Sequence, residues 1–341
     1  MNRARSQASG YAIAMLVACS APAVVAEETV SFDPQHNPQT QQLADELAEQ
    51  GVPNAWLEQA LAQASYRQEV LDAMAGAAER RLRWFEYRDI FLTEQRIDEG
   101  AAFIKAHADA LARAESEYGV PPEVITAILG VETYYSRHKG RHKVLDSLAT
   151  LAFHHPVRGD FFRGELAAFL TIAYQQEVAP ESLYGSYAGA MGYPQFIPTS
   201  YQAYAVDFDG DAKRDLWNNP VDAIGSVANY FAEHGWQRGG AIYHEAEGPE
   251  ELPEALSFNQ AVRPSTTAAE AAEQGVVTET SLTPDTPVVP LVLEYADGQE
   301  SYRLGENNFY VITRYNHSHL YAMAVAELAE AIKQQAEAEH D

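Results

Sequence analysis

The 341-residue chain has one cysteine, Cys19, so no disulfide within the chain can stabilise it. It has little positive charge. Its 23 Lys and Arg, of which only five are Lys, stand against 49 Asp and Glu, for a formal net charge of −26. That balance excludes the electrostatic footprint of a nucleic-acid binder. Glycines cluster at Gly185, Gly189 and Gly192, but no Lys-Ser/Thr follows them, which excludes a phosphate loop. What the chain does have is a hydrophobic content of 46%, a globular value, and enough length for two or three compact units.

The first 26 residues read as an export signal. Arg3 and Arg5 precede an apolar core, residues 11–18, and Val24-Val25-Ala26 offers small residues for cleavage. The core is too short to span a bilayer. Leu16-Val17-Ala18-Cys19 also fits a lipoprotein box, with a lipid anchor on Cys19 at the outer membrane. Cleavage after Ala26 is favoured, because the apolar run continues past Cys19. Either route puts the mature protein outside the cytoplasm, in the periplasm.

Residues 39–118 read as helices. Gly51 closes the first, Pro53-Asn54 opens the second, and Thr93 caps a long helix over residues 96–118 that stops at Gly119. Nothing in this region has catalytic spacing, and it reads as scaffold.

A helix over residues 124–132 organises the rest. Pro122 suits its first turn, and Ile125, Ile128, Leu129 and Glu132 share one face. A carboxylate on an apolar stripe is disfavoured as an anion, so Glu132 can keep its proton and serve as a general acid. The alternative is a helix-end glutamate that bends out to water. Next come Arg137, Lys139, Arg141 and Lys143, either a cationic wall beside the site or a solvated loop paired with acidic neighbours. Helices are expected over residues 145–153 and 160–176. Asp207, Asp209 and Asp211 then alternate as at the start of an EF-hand loop, with the Lys213 carbonyl at the seventh position. Ala212 departs from the usual glycine and Asn218 from the usual glutamate. Alone, this triplet is as consistent with a plain turn as with a metal site. Asn219-Pro220 opens a further helix, stopped at Gly235, with Ile224, Val227 and Phe231 buried.

From Gly239 the helical period is lost. Residues 288–295 alternate and Asp297-Gly298 marks a hairpin, so a small β unit is expected, with residues 266–287 as a mobile loop. Residues 311–316 return to the core, and Ser318 can cap a last helix.

Several of these segments together, Gly130-Val131-Glu132-Thr133, the run 185–196, Asp207 to Asp211, and 222–236, resemble the lytic murein transglycosylase B family, glycoside hydrolase family 103. The likeness is strongest over residues 118–236 and returns at 311–325. It implies a mainly α (α+β) fold, in which a lysozyme-like core carries an N-terminal helical domain and a small inserted β domain. The expected divisions are 1–26 for the signal, 30–119, 120–238, 239–308 and 309–341.

The resemblance also implies roles. Glu132 is the catalytic acid. Arg158, Ser186, Met191, Gln195, Phe196, Tyr230, Tyr315, Asn316 and Tyr321 bind saccharide. Asp222 closes the metal loop of Asp207, Asp209, Asp211 and Lys213, and the ion is a structural Ca²⁺ with no part in catalysis. Most glycosidases flank the bond with two carboxylates. Asp146, Asp160 and Glu165 are the nearby candidates for a second, but none lies in a recognised motif and the two aspartates read as helix caps. The implied reaction cleaves peptidoglycan between N-acetylmuramic acid and N-acetylglucosamine and leaves 1,6-anhydro ends, with other cell-wall enzymes as further partners. A hydrolytic muramidase and a non-catalytic wall-binding protein are the alternatives.

Overall fold

In the computed structural model, residues 30–76, 82–279 and 282–338 are described. The expected signal segment, with Cys19 and the expected cleavage point after Ala26, lies outside them. The chain from Ser31 on forms one compact unit. No helix among the described residues is long and apolar enough to cross a membrane.

Helix ends fall where local chemistry puts them. Asn37 caps the Pro38–Glu49 helix by accepting from the Gln39 and Thr40 N–H groups. Gly119, at φ 77°, ends Ala108–Tyr118 in the left-handed conformation that glycine adopts without cost. Asn219 caps Pro220–Glu233 through the Val221 N–H at 2.9 Å. The helix expected over residues 96–118 is two helices, Glu94–Ala106 and Ala108–Tyr118, broken at His107. His107 carries no breaker chemistry. Its N–H still reaches Phe103 O and its own carbonyl still accepts from Leu111, so backbone bonds run on through the break, where His107 leaves helical geometry at φ −121°.

The central helix, Pro122–Thr133, buries Val124, Ile125, Ala127, Ile128 and Leu129 completely or nearly so. Burying each Val, Leu or Ile is worth about 1.5–3 kcal/mol, which makes this helix the anchor of the core. It packs against His319–Ala338, Glu94–Ala106, Ala108–Tyr118 and Pro220–Glu233. Val144–His154 and Gly159–Gln175 pack on each other in the same core.

The N-terminal helical region is bolted to this core. Asp146, almost fully buried in the first turn of Val144–His154, accepts from the Ser65 N–H at 2.9 Å and pairs with Arg67 at 2.8 Å. It is therefore not the cap it resembles in the sequence; Lys143 holds that position.

A five-stranded antiparallel sheet follows, in the order Thr266–Thr267, Pro287–Glu294, Glu300–Gly305, Tyr243–Glu247, Val277–Thr278. Val289, Leu291 and Leu293 on one face join the main core. Val288, Tyr302 and Leu304 on the other build a small core with Ala271 and Val276. The Asp297-Gly298 turn is present, with Gly298 at φ 80°. Residues 266–287 are not a bare loop. They hold two short strands and the helix Ala268–Glu273, started by a reciprocal capping box between Thr267 and Glu270.

Candidate active site

Glu132 sits on the last turn of Pro122–Thr133, where the chain doubles back through three consecutive non-glycine residues of positive φ: Tyr134 at 52°, Tyr135 at 54° and Ser136 at 81°. Each costs of order 1–3 kcal/mol, so neighbouring contacts must hold them. Thr133 Oγ1 donates to Tyr193 O at 3.1 Å and accepts from Ser136 N at 3.1 Å. Tyr135 folds its ring over Gly130, where a Cβ would lie 2.7 Å from the phenol oxygen, and donates to Arg96 O. The Gly-Val-Glu-Thr run thus has a local reason: glycine admits the returning tyrosine, and threonine ties the helix end to the glycine-rich segment.

Glu132 is half-buried and meets the hydroxyl of fully buried Tyr321, which donates to Oε1 at 2.6 Å. Burial pushes the carboxyl from its ordinary 4.5 up to about 7, against the opposing pull of the Tyr321 hydrogen bond. An aromatic wall stands behind it. Tyr315 lies parallel to Tyr321, with ring centroids 6.4 Å apart, and donates to Pro194 O at 2.7 Å. Phe196 packs on Tyr315 and Tyr230, and Tyr230 donates to Arg314 O. Burial, then the Glu132 charge, keeps the Tyr315 and Tyr321 phenols well above 10, so both remain hydroxyls at neutral pH.

The other residues expected to bind saccharide are placed less directly. Gln195 sits at φ 50° and donates to Gly192 O and Lys139 O. Ser186 Oγ accepts from the Ala188 and Ala190 N–H groups and is committed to its own turn. Met191 is wholly buried and has no surface to offer a ligand. Asn316 and Arg158 are exposed, and the Arg158 guanidinium lies over Phe161 at 4.4 Å. Of the basic run, Arg137 pairs with Glu99 at 2.9 Å and Lys139 donates to Trp217 O at 2.6 Å. Half of the proposed cationic wall is thus already engaged.

Two of the three candidate second carboxylates are held in structural bonds. Asp146 holds Ser65 and Arg67. Glu165 is buried and accepts from Thr199 N at 3.0 Å and Thr199 Oγ1 at 2.7 Å, which fixes the start of the Pro198–Tyr204 helix. Asp160 is exposed in the first turn of Gly159–Gln175.

Residues 35–330 match the model of the Transglycosylase SLT domain. The chain belongs to that family. Membrane-bound lytic murein transglycosylase B of Escherichia coli (strain K12) is 41% identical over 308 residues, 87% of this chain and 83% of that protein. The Escherichia coli lytic transglycosylase Slt35 in complex with calcium is 41% identical with a TM-score of 0.81, over 90% of this chain and 96% of that one. SltB3 from Pseudomonas aeruginosa in complex with NAG-NAM-pentapeptide is 31% identical with a TM-score of 0.78, over 89% and 80% of the two chains.

One tyrosine near the glutamate of this SLT transglycosylase escapes sequence reasoning. Burial, then the Glu132 charge, pushes Tyr87 to about 12, and its helix, Trp84–Phe91, packs on His319–Ala338, which carries Tyr321. Nothing in the sequence distinguishes it among 19 tyrosines.

The acidic loop brings Asp207, Asp209 and Asp211 together, with one oxygen of each within 4.8 Å of the others. Three hard oxygen donors at an accessible site fit Ca²⁺. Ala212, where glycine is usual, still takes φ 71°, so the departure is in the residue and not in the path of the chain. Asp222 is outside that group of three but next to it, with the Asp209 backbone among the groups that act on its carboxyl. It is fully buried, and its oxygens accept from Phe208 N at 2.7 Å and Asp215 N at 2.8 Å, closing the loop by hydrogen bonds.

Proposed function

We propose that Glu132 alone carries the acid and base work of this peptidoglycan lytic transglycosylase, outside the cytoplasm. The observation behind this reading is a carboxyl held near pH 7 against Tyr321, while Asp146 and Glu165 are tied up in structural bonds. Protonated Glu132 donates to the glycosidic oxygen between N-acetylmuramic acid and N-acetylglucosamine as the bond from the anomeric carbon breaks. The substrate's N-acetyl oxygen supports the positive carbon. Glu132, now carboxylate, takes the proton of the muramic C6 hydroxyl, and O6 closes on the anomeric carbon. The proton lent is recovered and no water is consumed.

In this reading Phe196, Tyr230 and Tyr315 form the wall of the groove and limit water entry. Gln195, Asn316 and Arg158 supply polar contacts, and Ser186 and Met191 shape the segment that carries them. The mass of the cleavage product tests the reaction: anhydro ends are lighter by one water than hydrolytic ends, and ends of hydrolytic mass would make the protein a muramidase.

The acid form is the one that begins the reaction, so kcat/KM on soluble glycan is expected to fall as pH rises through about 7. Tyr321→Phe removes the bond that lowers the Glu132 pKa, so the falling limb should move to higher pH. A limb that stays in place in a folded variant would detach it from Glu132.

Calcium bound at Asp207, Asp209 and Asp211 would brace the loop against the core, and this role is structural. Added Ca²⁺ is expected to raise the Tm by mass action without changing the rate of bond cleavage. The double variant Asp209→Ala, Asp211→Ala should lose the shift, and a wild-type Tm indifferent to chelator would remove the metal from the account.

A further inference from the structure

Two guanidiniums converge on one ring beside the aromatic wall. The Asn307–Tyr315 helix sets Tyr310 and Arg314 one turn apart on the same face. Arg314 Nη1 donates to the Tyr310 hydroxyl at 3.4 Å, and its Cζ lies 5.3 Å from the ring centroid. Arg263, in the segment that leads into the Thr266–Thr267 strand, brings its Cζ to 5.4 Å from the same centroid. The helical core and the sheet segment thus contribute one cation each.

Neither cation is neutralised there. Among the described residues neither Arg263 nor Arg314 pairs with a carboxylate, in a chain that has 49 acids for 23 Lys and Arg. A ring face attracts an exposed cation only weakly. Arg314 Nη2 also meets the His317 ring, 2.6 Å from Nε2. Burial, then the Arg314 charge, lowers the His317 pKa from its ordinary 6.5, so that ring is a neutral partner and brings no negative charge. The Tyr310 phenol is drawn below its ordinary 10, first by the Arg314 hydrogen bond, with the Arg263 charge adding to it. One phenol oxygen answers to two cations. Like charges held this close repel each other until an anion joins them.

The pair stands at the edge of the site. Tyr315, the next residue after Arg314, belongs to the wall behind Glu132, and exposed Asn316 follows it. Tyr230 of the same wall donates to Arg314 O at 2.7 Å, and the Arg314 charge acts on its phenol. Arg263 is exposed, and Arg314 meets His317 at an exposed position. A guanidinium is a planar fork of donors that matches a carboxylate. Peptidoglycan supplies that group, because the peptide stems on its N-acetylmuramic acid carry free carboxylates. The acidic remainder of the protein repels them, so a stem is best received where positive charge is left over.

We propose that Arg263 and Arg314 together receive a carboxylate of the peptide stem, so that the protein selects stem-bearing glycan over bare glycan. This rests on the reading of the site given above and assigns a part of the substrate that Glu132 and the aromatic wall leave untouched.

The test is steady-state cleavage of three soluble chains of equal length: stem-bearing glycan, the same glycan with its stem carboxylates amidated, and glycan freed of its stems. A salt concentration of about 0.15 M screens the long-range effect of net charge. Wild type is expected to show a KM at least tenfold lower on stem-bearing glycan than on either of the others, with similar kcat. The double variant Arg263→Gln, Arg314→Gln should raise KM on stem-bearing glycan to that of the amidated chains and leave the other two substrates unchanged. Arg263→Gln alone alters only an exposed side chain and should give part of the same rise, which keeps the test decisive if the double variant is unstable. Equal KM on carboxylate and amidated stems in wild type, or a loss in Arg263→Gln that is as large on stem-free glycan, would each overturn the proposal. Product mass keeps the two readings apart. Anhydro ends without the KM contrast remove this inference alone, and hydrolytic ends with the contrast intact remove the transglycosylase reaction alone.

Discussion

Glu132→Gln is expected to slow glycan cleavage by about 10²–10⁴-fold while the protein stays folded, the usual cost of losing an acid–base group. Glutamine keeps the shape and can still accept from Tyr321, but it can neither give nor recover a proton. The same variant should be more stable than wild type in alkaline solution. The folded pKa of Glu132, about 7, stands above its ordinary 4.5, so its contribution is fully favourable below pH 4.5 and is lost as pH rises through 7. Above that, wild type bears a half-buried carboxylate that costs on the order of 2–3 kcal/mol, and glutamine does not. The Tm difference between variant and wild type should therefore be near zero at pH 4 and several degrees in favour of the variant at pH 8. Cleavage near the wild-type rate, in a preparation free of other wall enzymes, would move the chemistry to another residue.

The second large effect belongs to Asp222→Ala. Its carboxylate satisfies two backbone donors, Phe208 N and Asp215 N, from a fully buried position. Each stranded donor costs about 1–3 kcal/mol, so a loss of roughly 2–6 kcal/mol is expected. In a thermal scan that is a fall of roughly 5–10 °C. The fall should be the same with calcium and with chelator if Asp222 closes the loop by hydrogen bonds alone. A fall confined to the calcium-loaded protein would make Asp222 a ligand of the ion. Asp209→Ala is the contrast: Asp209 is exposed and accepts only from Asp211 N and Asn219 Nδ2 among the described residues, so its removal should cost little without calcium and more when calcium is bound.

Much of this was legible in the sequence because it rests on short-range chemistry. Gly51, Gly119 and Gly235 mark chain reversals at positive φ, and Asn219-Pro220 marks a helix start. The face shared by Ile128, Leu129 and Glu132 follows from helical spacing, and it carries the raised pKa with it. The Thr267–Glu270 capping box also has a local signature, but the short helix it starts has only six residues, too few to show a helical period. Other features have no local signature. The break at His107 comes without glycine or proline. Tyr321 is 189 residues from the acid it bonds, and only the family resemblance pointed to it. Tyr87 had no pointer of either kind. Asp146 and Glu165 show the limit most clearly, since a carboxylate that caps, one that reacts and one that bolts two regions together look alike until their partners are seen.

The bolt at Asp146 bears on modularity. A shortened protein that began near Pro122 would keep Glu132, Tyr321 and the aromatic wall, yet it would strip Ser65 and Arg67 from a buried carboxylate and Tyr87 from the neighbourhood of the acid. The catalytic machinery is therefore not a transplantable cassette. The first helices, which have no reacting group of their own, are inseparable from the part that does the chemistry, and insertions or fusions will be tolerated only where they leave that joint closed.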